Sequence, residues 1–95
     1  MAKSIICIDD TKCFLCGAYA PLEEHHVFSG YNRKASEKYG LKVKLCHACH
    51  NEPPEGVHHN RKNELNLKKY CQRVAMNYYG WSLDDWRQKF SKSWL

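Results

Sequence analysis

Two cysteine pairs and a crowd of histidines carry the chemistry legible in this chain. Cys13-Phe14-Leu15-Cys16 and Cys46-His47-Ala48-Cys49 are C-x2-C knuckles separated by 29 residues. Each knuckle brings two thiolates to one ion, and the two together complete the closed tetrahedral S4 shell that structural zinc prefers. Structural Zn2+ on Cys13, Cys16, Cys46 and Cys49 is therefore the expectation. A redox C-x-x-C is the competing reading, but it needs one pair only and a thioredoxin-like βαβ pattern that is not evident here. Cys7 and Cys71 stand outside the knuckles and read as small buried residues.

The six histidines are grouped around the same knuckles. His25 and His26 lie between them, His47 and His50 flank Cys49, and His58 and His59 follow shortly after. Once four sulfurs satisfy one zinc, these imidazoles are surplus to it, and a second, open metal site is the functional reading. Glu24-His25-His26-Val27 suits an extended strand, whose neighbouring side chains point to opposite faces. Adjacent strand histidines cannot easily share one ion, so each must have its own task. The bland alternative is a solvent-facing or hydrogen-bonded core histidine.

These groups need elements to hold them. Residues 4–8 read as a short strand, residues 17–21 as a turn and residues 22–28 as a strand bearing the histidine pair. After the turn signal at 29–32, residues 33–39 form a short helix stopped by Gly40, a good residue just past a helix end. Leu41-Lys42-Val43-Lys44-Leu45 alternates like a strand leading into the second knuckle, which opens a helical turn. The prolines at 53 and 54 break regular structure. From residue 63 the spacing becomes helical, with Leu67, Tyr70, Cys71, Val74 and Tyr78 at three- and four-residue steps and Gly80 as the stop. Ser82 resembles an N-cap with Asp84 and Asp85 in the first turn, and Trp86, Phe90 and Trp94 give the last helix an apolar face.

Composition agrees with one small soluble unit. The chain has 95 residues, 43% hydrophobic and 26% charged, with 15 Lys+Arg against 10 Asp+Glu for a formal charge of +5. A chain of this length buries only around two-thirds of its unfolded surface, so a metal staple is expected to supplement the core. No stretch approaches the roughly 20 apolar residues of a membrane span, and the opening apolar run is too brief for a secretory signal. Cytoplasmic location and no membrane association are the expectations. Positive charge gathers in residues 31–44 and again in residues 61–73, on either side of the histidines. Basic side chains beside a metal site neutralise phosphates and steer a polyanion toward it, which makes Arg33 and Lys34 candidate nucleic-acid contacts.

From Cys13 to about Asn60 the chain resembles the HNH (ββα-metal) nucleases. The likeness rests on a knuckle, then Glu24-His25-His26-Val27, then Leu45-Cys46-His47-Ala48-Cys49-His50. With Asn32-Arg33-Lys34, Ser36-Glu37-Lys38-Tyr39-Gly40-Leu41, Gly56-Val57-His58-His59-Asn60 and the ending Phe90-Ser91-Lys92-Ser93-Trp94-Leu95, it is similar to short HNH-type proteins encoded by phages and prophages. The resemblance implies an α+β, treble-clef-like domain over residues 1–95. Its zinc and ββα-metal core spans about 5–60, and a helical part spans about 63–94.

The resemblance also implies roles. His26 takes the general-base position, His25 the metal-ligand position before it and His50 the metal-ligand position on the helix. His58 is a candidate further ligand, with His59 as its alternative. The family's middle Asn falls at Leu41 here, and Asn32, Asn51 and Asn60 are the candidates to make its hydrogen bonds. The implied activity is hydrolysis of DNA phosphodiester bonds, with double-stranded DNA as the expected partner and one catalytic divalent ion: Mg2+, Mn2+, Ni2+ or Zn2+. A phage packaging or recombination partner is in keeping with such a protein. The rivals are a non-catalytic zinc-ribbon-like nucleic-acid-binding module and a protein-interaction zinc domain of the treble-clef kind.

Overall fold

The computed structural model describes residues 4–7, 11–54 and 56–95 of the chain. The histidine pair closes a short strand, β1 (Leu22–His26), and the alternating apolar and basic residues after Leu41 form β2 (Lys42–Cys46). They pair antiparallel in a two-stranded sheet, with Leu22 opposite Cys46 and His26 opposite Lys42. Val43 and Leu45 of β2 are buried on one face, and a slip of one residue would carry both to the opposite face, where Lys42 and Cys46 now sit. Strand pairing ends at His26, two residues short of the expected strand over 22–28. The buried Ser36 hydroxyl accounts for this: it accepts from the Phe28 N–H at 3.0 Å and donates to the Phe28 carbonyl at 2.6 Å.

A single 3-10 turn over Gly30–Asn32 leads into α1 (Arg33–Tyr39). Gly40 stops that helix as the spacing indicates, at φ 74°, with its N–H returned to the Ser36 carbonyl. Residues 4–7 are irregular where a strand is expected, and Ile8 lies outside the described residues. Here the Ser4 hydroxyl accepts from the N–H groups of Ile6 and Cys7 at 3.1 and 2.8 Å, a local bond that competes with sheet pairing. Ile6 and Cys7 are buried all the same, and the Ile5 N–H reaches the Gly40 carbonyl at 3.0 Å.

Three helices follow: α2 (His47–Asn51), α3 (Arg61–Tyr79) and α4 (Leu83–Phe90). α3 starts two residues before the expected position because the Asn60 side chain caps the Asn63 N–H at 3.0 Å. Its buried stripe is Leu67, Cys71, Gln72 and Ala75, so the inclusion of Tyr70 and Tyr78 in that face is corrected: both are exposed. Their spacing matches a wide helical stripe, but the rest of the fold is narrow and covers only its centre. Burial pushes the Cys71 thiol up to about 12, in keeping with an inert core residue. α4 opens on a full capping box between Ser82 and Asp85.

The core is aromatic and sits where α4 meets the chain just after β1. Phe28, Trp86 and Phe90 are fully buried, with Trp86 stacked on Phe90 at 4.1 Å and Phe28 against Trp94 at 4.7 Å. Gln72 of α3, also fully buried, accepts from the Trp94 N–H at 2.8 Å and donates to the Ser93 hydroxyl at 3.0 Å. The C-terminal helices therefore clamp Phe28, two residues beyond the histidine pair. Among the described residues, no helix is long and apolar enough to cross a membrane.

Candidate metal centre

The two knuckles meet through backbone. Phe14 N–H donates to the Lys44 carbonyl at 2.9 Å, which hangs the first knuckle on β2 just before the second knuckle begins. The first knuckle closes on itself through Gly17 N–H to the Cys13 carbonyl and Cys13 N–H to the Ala18 carbonyl, both 2.9 Å. As a result the sulfurs of Cys13, Cys16, Cys46 and Cys49 lie within 4.8 Å of one another. Cys16 and Cys46 are 3.7 Å apart, close to the edge of about 3.8 Å of a tetrahedron with zinc–sulfur bonds near 2.3 Å. Ionisation is uneven among them. Burial opposes it at Cys13, but backbone N–H groups of Cys16, Cys46 and Leu15 hold that thiol down at about 6. Burial and the sulfurs of Cys16, Cys13 and Cys46 push Cys49 well above the usual thiol range. The set can hold a zinc ion, whose charge would offset the thiolates it binds.

A second cluster stands beside the first. β1 sends Glu23 and His25 toward α2, and Glu24 and His26 toward α1 and Lys42, as the two-residue period of a strand requires. α2 brings His50 to His25, with ring centroids 5.0 Å apart. His58 completes the group, its centroid 5.1 Å from His25 and 4.6 Å from His50. Backbone bonds carry it there: Val57 N–H to the Cys49 carbonyl at 2.8 Å and His58 N–H to the His50 carbonyl at 3.2 Å. One ring nitrogen from each histidine falls within the same 4.8 Å span, a spacing that can hold a metal ion. His59, the alternative to His58, is exposed and does not belong to this group.

The protonation of these rings suits ligands. Burial pushes His25 down to about 3, helped by the neighbouring charges of His50 and His58, so its lone pair is free throughout the physiological range. His58 is lowered as well, again chiefly by burial and then by His50. His50 Nε2 lies 2.9 Å from His58 Nε2, a contact that two lone pairs cannot make without a shared proton or cation. The other ring nitrogen, His50 Nδ1, meets Glu23 Oε1 at 2.7 Å. Glu23 also takes His47 Nδ1 at 3.0 Å, and these hydrogen bonds from His50 and then His47 hold its carboxyl below the usual carboxylate range. A carboxylate on the far nitrogen of a histidine ligand fixes its tautomer and orientation. Sequence reading missed Glu23, although its place two residues before His25 on a strand is the signal that could have found it.

His26 faces the other way. Its Nε2 meets Glu37 Oε2 at 2.9 Å, and Glu37 in turn binds Lys42 Nζ through both oxygens at 3.0 and 3.1 Å. Hydrogen bonds from His26 and Lys42 hold the Glu37 carboxyl below its ordinary range. His26 nevertheless reaches the cleft in front of the three histidines, a space of about 190 Å³ lined by Glu24, His25, His26, Ser29, Arg33, His50 and His58. Arg33 is thus in place at the cleft, whereas Lys34, the next residue of α1, is exposed and does not line it. Two of the three candidate asparagines make other hydrogen bonds. Asn32 donates to the Phe90 carbonyl at 3.2 Å, and Asn60 caps α3 and donates to the Pro54 carbonyl at 3.0 Å.

Gly56 decides where His58 lands. A Cβ there would come within 2.7 Å of both the Glu52 nitrogen and its carbonyl oxygen, backbone atoms that cannot rotate away. Gly56→Ala should therefore lower stability by about 1–3 kcal/mol, the usual cost of overpacking, in urea unfolding of the metal-loaded protein. Comparison with protein-family models, curated proteins and solved structures finds no match to this chain.

Proposed function

We propose that the protein is a metal-dependent endonuclease of the HNH kind, hydrolysing DNA phosphodiester bonds, with a structural zinc on the four cysteines. The observation that carries this reading is the convergence of His25, His50 and His58 on one cleft that His26 and Arg33 also line. A non-catalytic module gives no reason for a buried imidazole, two partners and a separate fourth imidazole to share an opening with a guanidinium.

In this reading His25, His50 and His58 hold one divalent ion, with Glu23 fixing the His50 ring. When bound there, such an ion would supply positive charge to offset the negative charge that develops on the phosphate during hydrolysis. His26 takes a proton from water as its oxygen attacks phosphorus; the bond from phosphorus to the 3′ oxygen breaks, and that oxygen takes a proton from solvent water, leaving a 5′ phosphate and a 3′ hydroxyl. Imidazole has the basicity for that task near neutral pH. Arg33 holds a neighbouring phosphate through its planar fork of donors. Three imidazoles favour Ni2+ or Zn2+ over Mn2+ and Mg2+, which prefer oxygen ligands, and availability decides together with affinity.

The test is nicking of supercoiled plasmid by the zinc-loaded protein with added Mg2+ or Mn2+, wild type against His26→Ala. Loss of the general base should slow cutting by about 10²–10⁴-fold while the circular dichroism spectrum is retained. Cutting at an unchanged rate in His26→Ala would remove that residue from the role. DNA binding without cleavage under any divalent ion would favour the zinc-ribbon-like module.

A further inference from the structure

We infer that Glu37, held by Lys42, is the positioning residue that sets the tautomer and orientation of His26. The inference rests on the nuclease reading for its kinetic consequence, though its structural part stands without it.

Leu41 is fully buried and contributes only its backbone, accepting from the Val27 N–H at 3.1 Å and donating to the Ser36 carbonyl at 2.8 Å. Its side chain offers no hydrogen bond to the segment that carries His26. That segment is instead fastened from α1 by two consecutive residues. Ser36 clasps the backbone of Phe28, and Glu37 binds the His26 ring at 2.9 Å. Lys42 stands opposite His26 in the sheet, is buried along its stem, and meets both Glu37 oxygens.

The chemistry of Lys42 makes the arrangement directional. An ammonium only donates, so it fixes Glu37 as an acceptor, and an acceptor beside Nε2 requires the ring proton to sit on Nε2. Nδ1 is then left with its lone pair, and it makes no hydrogen bond among the described residues. Glu24, Glu37 and His26 also lie close enough together to suggest a cation site. The Lys42 ammonium already occupies that role, 3.0 Å from Glu37 and 3.9 Å from Glu24, so positioning is the better account.

Glu37→Gln separates this from a merely structural contact. Lys42 would claim the single carbonyl oxygen of the amide, turning the amide N–H toward Nε2 and driving the ring proton to Nδ1. The comparable carboxamide exchange in the Ser-His-Asp triad costs about 10⁴ in kcat through the wrong tautomer.

The experiment has two arms on the zinc-loaded full chain. Long-range proton–nitrogen NMR, above the ordinary imidazole pKa of about 6.5, should find His26 protonated on Nε2 in the wild type and on Nδ1 in Glu37→Gln. In plasmid cleavage with saturating Mn2+, Glu37→Gln should lose about 10²–10⁴-fold in kcat. Its KM and Mn2+ affinity should stay within about 3-fold, and it should cost nothing further in a His26→Ala background. A wild-type ring protonated on Nδ1, a tautomer unchanged in Glu37→Gln, or a loss confined to KM or Mn2+ affinity would overturn the inference. If the wild type cleaves nothing, the nuclease reading falls and the NMR arm alone decides the role of Glu37.

Discussion

His50→Ala should abolish both binding of the exchangeable divalent ion and cleavage while leaving the fold and the tightly held zinc in place. The ring sits at the middle of the cluster: its Nε2 is 2.9 Å from His58, its Nδ1 is 2.7 Å from Glu23, and its centroid is 5.0 Å from His25. Losing a partner outside the ligand set costs roughly 10–100-fold in metal affinity, so losing the ligand itself should exceed about 100-fold. Glu23→Gln should fall within the lower range and thus bracket the effect. Titration calorimetry with Mn2+, alongside zinc content by mass spectrometry, measures the two ions separately. His50→Ala protein that binds Mn2+ with wild-type affinity would place the ion elsewhere.

Cys46→Ser should have the larger consequence for the chain as a whole, loss of the cooperative fold. Structural zinc in small domains contributes about 10–16 kcal/mol of apparent binding free energy, and that energy is folding free energy. Total stabilities of domains are about 5–15 kcal/mol, so the zinc term is as large as everything that remains after chain entropy is offset. Cys46 also occupies the N-cap position of α2 and the last place in β2, paired with Leu22, so its displacement loosens both histidine-bearing elements. The measurement is thermal unfolding followed by circular dichroism, with and without a strong chelator. A soluble Cys46→Ser variant that melts cooperatively and resists chelation would contradict the assignment.

These two predictions differ in kind because the two clusters are built differently. The cysteines come in pairs three positions apart, so each knuckle is already half a coordination shell before the chain folds. The histidines come from β1, α2 and the segment after Gly56, and no two of the three are closer than eight positions apart in sequence. Their meeting depends on the sheet register, on the backbone bonds from Val57 and His58 to α2, and on the absence of a Cβ at Gly56.

The local elements were largely legible in the residues. Gly40 and Gly80 stop their helices, Ser82 caps the last one, and the alternation of 41–45 becomes β2 with a shift of one residue. The strand expected over 4–8 is irregular at 4–7 because Ser4 satisfies two backbone N–H groups locally, a competition that periodicity does not register. The wide apolar face of α3 failed at Tyr70 and Tyr78 because spacing gives a direction around the helix but not whether anything lies there to cover it.

Residue types and spacing alone determined that four sulfurs could close around one ion, that imidazoles would be left over, and that neighbours on a strand would diverge. Only the tertiary structure decided which carboxylate each imidazole meets. Glu23 reaches His50 from 27 positions away and Glu37 reaches His26 from 11; strand spacing puts Glu23 on the face of His25, but nothing local among the ten acidic residues names the imidazole that either one meets. The physical reason is that a knuckle is a property of one short stretch of backbone, whereas a hydrogen bond between distant side chains exists only after register, helix placement and burial have fixed both of its ends.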